Sequence, residues 1–259
     1  MYTIGILGVG DLTEKTVIGL RKGGYEGEIL VSPRNAERAE RLAQEFRCKV
    51  MDCNQSVVDH SEILLLGVRP TSAAELATQV RLKPGQRLLS LVAGFGSDKL
   101  AALFPEAQCV RVMLSGAAQY NATTVVIYPS DTLAQQCLGV LGNLVVLDDE
   151  PSFELATVAA CMNGWFYFLL HDLQQWLSDK GLPEAQARAL VLGNVQDCVA
   201  SAKQQNEQSL STLGQTIATP GTFTADGLAV LRHQPLAANW GAACEVVLDA
   251  LLTRASISK

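Results

Sequence analysis

Short, nearly unbroken apolar runs alternate with amphipathic stretches along the first 150 residues. Residues 2–7, 28–32, 63–68, 88–92, 109–112, 123–128 and 144–147 are rich in Ile, Leu and Val and predict strands. Runs without polar alternation suit strands covered on both faces, as in a parallel sheet. Between them, residues 13–22, 36–46, 72–80 and 99–103 carry helical spacing. Strand and helix in alternation predict an α/β fold built on a doubly wound sheet. Near Asp148, Asp149, Glu150 and Pro151 the pattern changes, and no strand is predicted from residue 152 onward. Residues 154–179, 183–204 and 236–254 predict helices, with Pro183 early in the second of them. Thr219-Pro220-Gly221 predicts a break before a further helix. Two domains follow, an α/β domain over 1–150 and an all-helical one over 151–259. The second has helices apolar over much of their surface. That fits packing against a second copy, because obligate interfaces are more hydrophobic than ordinary surface; a self-contained helical core is the alternative.

Composition narrows the function classes. The chain of 259 residues has 20 basic and 26 acidic side chains, a formal charge of −6 and an isoelectric point near 5.1. Nucleic-acid binding needs clustered Lys and Arg, so it is not expected. No apolar run is expected to span a bilayer, and the N-terminus lacks the pattern of a secretory signal. Seven dispersed Cys with no CxxC pair suggest reduced thiols in the cytoplasm, not a disulfide frame or a zinc site. With three distant His, no metal centre is expected.

Candidate chemistry begins at Gly8-Val9-Gly10, which follows the first predicted strand and precedes the first predicted helix. The first glycine allows a tight turn. The second lets backbone N–H groups approach a pyrophosphate at the helix N-terminus. Thr13 stands where the dinucleotide fingerprint has its third Gly or Ala, so the motif is incomplete. The second predicted strand ends in Ser32-Pro33-Arg34-Asn35, with no acid between Ile29 and Ala36. A carboxylate here would hold the ribose 2′-OH of NAD; an arginine suits a 2′-phosphate, and Ser32 and Asn35 can add hydrogen bonds. NADPH is the expected cofactor, with NADH possible, in a Rossmann-type domain.

These motifs, with Asn54, Asp59-His60-Ser61, Gly67-Val68-Arg69-Pro70, Val92-Ala93-Gly94 and Val110-Arg111-Val112-Met113, resemble pyrroline-5-carboxylate reductase. The resemblance continues through Gly181-Leu182-Pro183 and Thr219-Pro220-Gly221, then Thr224, Gly227 and Leu228-Ala229-Val230-Leu231. It implies an N-terminal dinucleotide domain, a helical dimerisation and substrate domain, and reduction of 1-pyrroline-5-carboxylate to proline by a nicotinamide hydride. It implies that the glycine loop (Gly8, Val9 and Gly10, with Asp11 and Leu12), Ser32 and Asn54 bind the adenosine and phosphate end, beside the Arg34 and Asn35 read above from the residues themselves. Val68, Arg69, Pro70, Ala93 and Gly94 would line the path to the nicotinamide. Thr224 would donate a hydrogen bond near the reacting imine. Met113, Asn163, Thr219, Gly221, Thr222 and Phe223 would contact the substrate. A homodimer or higher homo-oligomer is implied. The reaction needs a hydride, a proton and a held carboxylate, so no catalytic dyad is required.

Three stretches depart from the family pattern. Leu114-Ser115-Gly116-Ala117 replaces Pro-Asn-Thr-Pro, and Cys161-Met162-Asn163-Gly164-Trp165-Phe166-Tyr167 keeps only the second Gly and the Tyr of its counterpart. Thr222 and Phe223 alter the third, and a Thr in place of Gly raises the question of a positive φ there. Trp165, Phe166 and Phe223 add aromatic bulk. The alternatives are a reductase of another imine or a nucleotide-binding homologue without this activity. For single residues, helix capping competes with catalysis at Thr224, a buried backbone partner competes with substrate at Asn163, and Tyr167 is expected in the core.

Overall fold

The computed structural model describes residues 1–233 and 236–256. β1 (Ile4–Leu7) turns at Gly8 into α1 (Asp11–Lys22). There follow β2 (Ile29–Val31), α2 (Ala36–Phe46), β3 (Lys49–Val50), α3 (Asn54–Asp59), β4 (Ile63–Leu66), α4 (Pro70–Gln79), β5 (Arg87–Ser90), α5 (Ser97–Leu103) and β6 (Gln108–Met113). These six strands are parallel, in the order β3-β2-β1-β4-β5-β6. A 3-10 turn at Gly116–Tyr120 precedes β7 (Thr123–Tyr128), which joins β6 antiparallel; β8 (Gly142–Val146), reached through α6 (Thr132–Leu138), pairs parallel with β7. The seven strands and four helices expected in this half all form, with ends displaced by a residue or two. β3, α3 and α6 were not expected. β3 is too short to show a period, and α3 and α6 are brief helices started by the side chains of Cys53 and Asp131.

Alternate strand residues feed two separate cores. Ile4, Ile6, Val31, Ile63, Leu65 and Val110 pack on one face with Val17, Leu20 and Leu42. Leu7, Leu30, Leu64, Leu66 and Leu88 pack on the other with Val57, Leu76 and Leu100. Helices thus cover both faces, which is why the strands show no polar alternation.

The remaining elements are α7 (Glu150–Asp179), α8 (Glu184–Gln204), α9 (Leu210–Ile217), α10 (Phe223–Arg232) and α11 (Leu236–Ser256), with no strand among the described residues. α9 was not expected. Asp149 Oδ1 caps the start of α7 by accepting from Ser152 N–H at 2.7 Å. Arg111, on β6 and 3% exposed, bonds Glu150 at 2.8 Å and Glu154 at 2.7 Å, and its guanidinium lies 4.2 Å from the Phe153 ring centre. The chain divides into two compact units, residues 1–160 with 248–259, and residues 161–247.

In the second unit many large apolar side chains face outward, among them Tyr167 (69% exposed), Phe168 (73%) and Trp176 (59%). Tyr167 is therefore not in the core of the single chain. The expectation that no segment is apolar and long enough to span a bilayer also needs correction. α7 meets that test by length and composition alone. A helix apolar on most sides has the same composition whether protein or lipid covers it.

Candidate functional site

The strand order reverses between β1 and β4, and ligands of open α/β sheets bind outside the carboxyl ends of the strands at such a point. The glycine loop lies there. Gly8 has φ +92°, and a Cβ on it would sit 2.5 Å from Val68 Cγ1, so the position requires glycine twice over. Its N–H donates to Ser32 Oγ at 3.0 Å. Gly10 begins α1 in an extended conformation, and a Cβ there would meet only Gly67 O at 3.8 Å, which leaves open space above the helix end. The N–H groups of Asp11 and Leu12 have no carbonyl one turn before them in the helix, so this end can receive an anion.

Thr13, the departure from the glycine fingerprint, has a structural part. Its hydroxyl accepts from Gly10 N–H at 2.8 Å and lies 2.9 Å from the Gly8 carbonyl, to which it donates. The Thr13 methyl occupies the space that a side chain on Gly67 would need. The close approach of helix and strand that a third glycine normally permits is supplied from the opposite side, by Gly67. Asp11 accepts from Lys15 Nζ at 2.8 Å. That hydrogen bond lowers its pKa, helped by the charges of Lys15 and Arg38. Buried Glu14 pairs with Arg38 and Arg41, tying α1 to α2.

Ser32 is buried; it accepts from Gly8 and keeps its own proton free to donate. Asn35 caps α2 by accepting from Arg38 N–H at 3.4 Å and donates to the Val9 carbonyl at 3.1 Å. Ser32 and Asn35 therefore hold the glycine loop. Arg34 between them is exposed, and its guanidinium has no hydrogen bond or ion pair among the described residues. It borders a cleft of about 380 Å³ with Pro33, Asp52, Cys53, Asn54, Gln55 and Gln79. An adjoining recess is lined by Gly8, Ser32, Arg34, Asn54, Val68, Ser72, Glu75, Leu76 and Gln79. Of the residues expected at a cofactor, Gly8, Ser32, Arg34, Asn54 and Val68 are thus brought to one place. Arg69 and Pro70 start α4, and Ala93 and Gly94 (φ +66°) form the turn after β5. Ser72, Glu75 and Gln79 were missed. Their spacing along α4 puts them on one helix edge, a signal that reads equally as a solvated face.

Cys53 opens α3 with its thiol accepting from Ser56 N–H at 3.4 Å, and the hydrogen bonds of Ser56 lower its pKa. The other affected thiols move the opposite way: burial pushes Cys48 and Cys109 to about 11 and Cys137 to about 12. Those three are poor nucleophiles. Among the described residues no three His, Cys, Asp or Glu side chains are grouped as metal ligands.

On the expected substrate side, half-buried Met113 ends β6. Ser115, in the first departing stretch, starts the 3-10 turn by accepting from Ala117 N–H at 3.2 Å. In the helical unit, Gly221 takes φ +86°, while Thr222 has φ −102°. The Thr-for-Gly change therefore carries no backbone strain. Thr222 caps α10, accepting from Ala225 N–H at 3.2 Å; the cap is not Thr224, which lies inside the helix. The Thr224 hydroxyl has no hydrogen-bond partner among the described residues. The N–H groups of Phe223 and Thr224 lie in the first turn, where a carboxylate can be received. Asn163 is exposed, so it does not satisfy a buried backbone group in the single chain. Trp165 and Phe166 pack on Trp240, at ring separations of 5.9 and 5.2 Å.

Comparison with known proteins covers both halves. Residues 3–94 match the family described as NADP oxidoreductase coenzyme F420-dependent, and residues 152–251 match pyrroline-5-carboxylate reductase dimerisation. Pyrroline-5-carboxylate reductase of Haemophilus influenzae is 27% identical, over 97% of this chain and 95% of its own. The helical half thus matches that family's dimerisation segment, and the relatives that the whole chain resembles are pyrroline-5-carboxylate reductases. The fold agrees. The 1-pyrroline-5-carboxylate reductase of Streptococcus pyogenes superposes with a TM-score of 0.84 at 22% identity, covering 96% of this chain and 98% of that one. The Plasmodium falciparum pyrroline carboxylate reductase with NADP bound gives 0.85 at 18% identity, covering 98% of each. The family's dimerisation segment coincides with the helices that leave apolar side chains exposed here.

Proposed function

We propose that this protein reduces 1-pyrroline-5-carboxylate to proline with NADPH as the preferred donor, as a homodimer or a higher homo-oligomer in the cytoplasm. The reaction rests on the relation to these reductases along nearly the whole chain. The cofactor preference rests on one observation: an unpaired arginine, with no carboxylate between Ile29 and Ala36, beside the glycine loop. Residues 1–150 bind the dinucleotide, and residues 151–259 hold the substrate and the second copy.

The site fits a dinucleotide because Gly8 and Gly10 leave a cradle that side chains would fill. When bound, a reduced nicotinamide supplies the hydride that the imine carbon accepts. The chain's own residues do the rest. Backbone N–H groups of Asp11 and Leu12 receive the pyrophosphate, Arg34 and the Ser32 hydroxyl take the 2′-phosphate, and Asn54 contacts the adenosine. Val68, Arg69, Pro70, Ala93 and Gly94 line the way to the nicotinamide. Thr219, Gly221, Thr222 and Phe223 form the turn that holds the substrate carboxylate against the first N–H groups of α10, with Met113 and Asn163 as further contacts. The free Thr224 hydroxyl donates toward the imine nitrogen.

Following NADPH absorbance with 1-pyrroline-5-carboxylate, with NADH in parallel and binding titrated separately, tests the reading. Saturable oxidation with a lower KM for NADPH is expected. NADPH binding without oxidation would transfer the activity to another imine. Failure to bind either nucleotide would end the enzyme reading.

A further inference from the structure

The turn after β5 lies at the carboxyl end of the sheet, where ligands of such sheets bind, and its backbone has few bonds of its own. The N–H groups of Ala93, Gly94, Phe95 and Gly96 have no hydrogen-bond partner among the described residues. Gly96, which precedes α5, has no side chain to cap it. The next N–H, that of Ser97, donates to Glu150 Oε1 at 2.7 Å. This oxygen lies 3.3 Å from where a Cβ on Gly96 would be, so a side chain 53 residues further along takes the place of a cap. The same oxygen accepts from Arg111 Nη1 at 2.8 Å, and Arg111 Nη1 also reaches Glu154 Oε1 at 2.7 Å. Arg111 is buried on β6, in register with Ser90 at the end of β5. Glu150 thus joins the turn, β6 and α7 through one oxygen. The Ser97 hydroxyl is buried without a partner, so the tie runs through the Ser97 backbone alone.

We propose that Glu150, held by Arg111, is a positioning residue for hydride transfer: through Ser97 it fixes the Ala93–Gly94 turn against which the reduced nicotinamide lies. This rests on the reading that the turn lines the way to the nicotinamide, and adds what sets the turn in place. Hydride transfer demands close placement of the reacting atoms, and a displacement of about 1 Å can cost roughly a hundredfold in rate. Glu150 acts through the backbone it holds and not by contact with the cofactor.

The test is a calorimetric titration of the full-length protein with NADPH and with 2′-phospho-ADP-ribose, which lacks the nicotinamide. The kcat with 1-pyrroline-5-carboxylate is followed beside it. Glu150→Ala is expected to bind 2′-phospho-ADP-ribose as the native protein does, while NADPH affinity falls about three- to tenfold and kcat about tenfold or more. Glu150→Gln keeps an acceptor for Ser97 and restores both to within about twofold. Ser97→Pro removes the N–H alone. Gly96, at φ −66° and ψ 164°, already has the backbone that precedes a proline, and the first residue of a helix accepts one. The fold is therefore kept, and NADPH affinity and kcat fall as in Glu150→Ala. Asp149→Ala, which removes the cap of α7 without touching Ser97, lowers Tm and leaves both values native. A native NADPH affinity or a native kcat in Glu150→Ala or Ser97→Pro would overturn the inference. So would an equal loss for both ligands, no recovery in Glu150→Gln, the same effects from Asp149→Ala, or a native protein that binds the two ligands alike. Each leaves the dinucleotide reading standing. If the native protein binds NADPH without reducing this imine, the affinities decide alone. Failure of the native protein to bind either ligand would overturn both readings.

Discussion

Arg34 differs from its neighbours in having nothing to hold. Ser32 and Asn35 are bonded to the glycine loop, so replacing them disturbs the loop as well as any phosphate contact. Arg34→Asp should act on the phosphate alone. A charge-assisted contact contributes about 1.5–3 kcal/mol, so NADPH should weaken roughly ten- to a hundredfold and NADH by much less in paired titrations. Equal loss of both would remove the 2′-phosphate argument. The two threonines of α10 separate in the same manner. Thr222→Ala removes a cap and should cost about 1 kcal/mol of stability, seen as a lower Tm. Thr224→Ala removes no hydrogen bond found among the described residues, so Tm should hold while kcat falls and NADPH affinity stays. Unchanged kcat would deny Thr224 its part in the reaction.

At the scale of elements, the first turn of α7 is fastened electrostatically. Arg111→Met should cost about 3–5 kcal/mol, because it leaves Glu150 and Glu154 without their cation. Adding Glu150→Gln and Glu154→Gln should recover part of the lost Tm. The Asp149 cap carries a pH signature. The Ser152 N–H bond lowers its folded pKa below 3.8, so its contribution is present above that pH and is lost as pH falls through the folded value. The Tm gap between the native protein and Asp149→Ala should be open at pH 7 and close in acid. A constant gap would place the effect elsewhere. The sheet was legible because both of its faces are buried, which turns each strand into an apolar run. β3 was not, since two exposed residues have no period, and with it went the view that Asp52, Cys53 and Asn54 form one rim of a cleft. α9 was hidden by its Ser and Thr content. The α4 edge of Ser72, Glu75 and Gln79 was hidden because exposed polar residues at helical spacing look the same with or without a ligand. Thr13 showed as a flaw in the fingerprint; only the packing against Gly67 shows it to be a compensated exchange.

For the whole molecule, the apolar side chains on the helical unit imply assembly. Light scattering should report at least twice the 27.7 kDa chain mass. Phe168→Glu with Trp176→Glu should shift it to the monomer, since each would bury a charge in the joint. A monomeric native protein would contradict the assignment of those helices. Domain order and the likeness to pyrroline-5-carboxylate reductases were legible from motifs spread along the chain. The altered substrate stretches were not interpretable, because capping and backbone angles do not show in residue names. The isolation of Arg34 has a consequence for how such a protein changes over generations. Fold and phosphate loop are secured by other residues, so under the proposed 2′-phosphate contact the choice between two reducing pools would hang on a side chain that can be exchanged at little mutational cost. A lineage whose supply of one nucleotide falls would then follow the other by a single substitution, with the remaining architecture carried along intact.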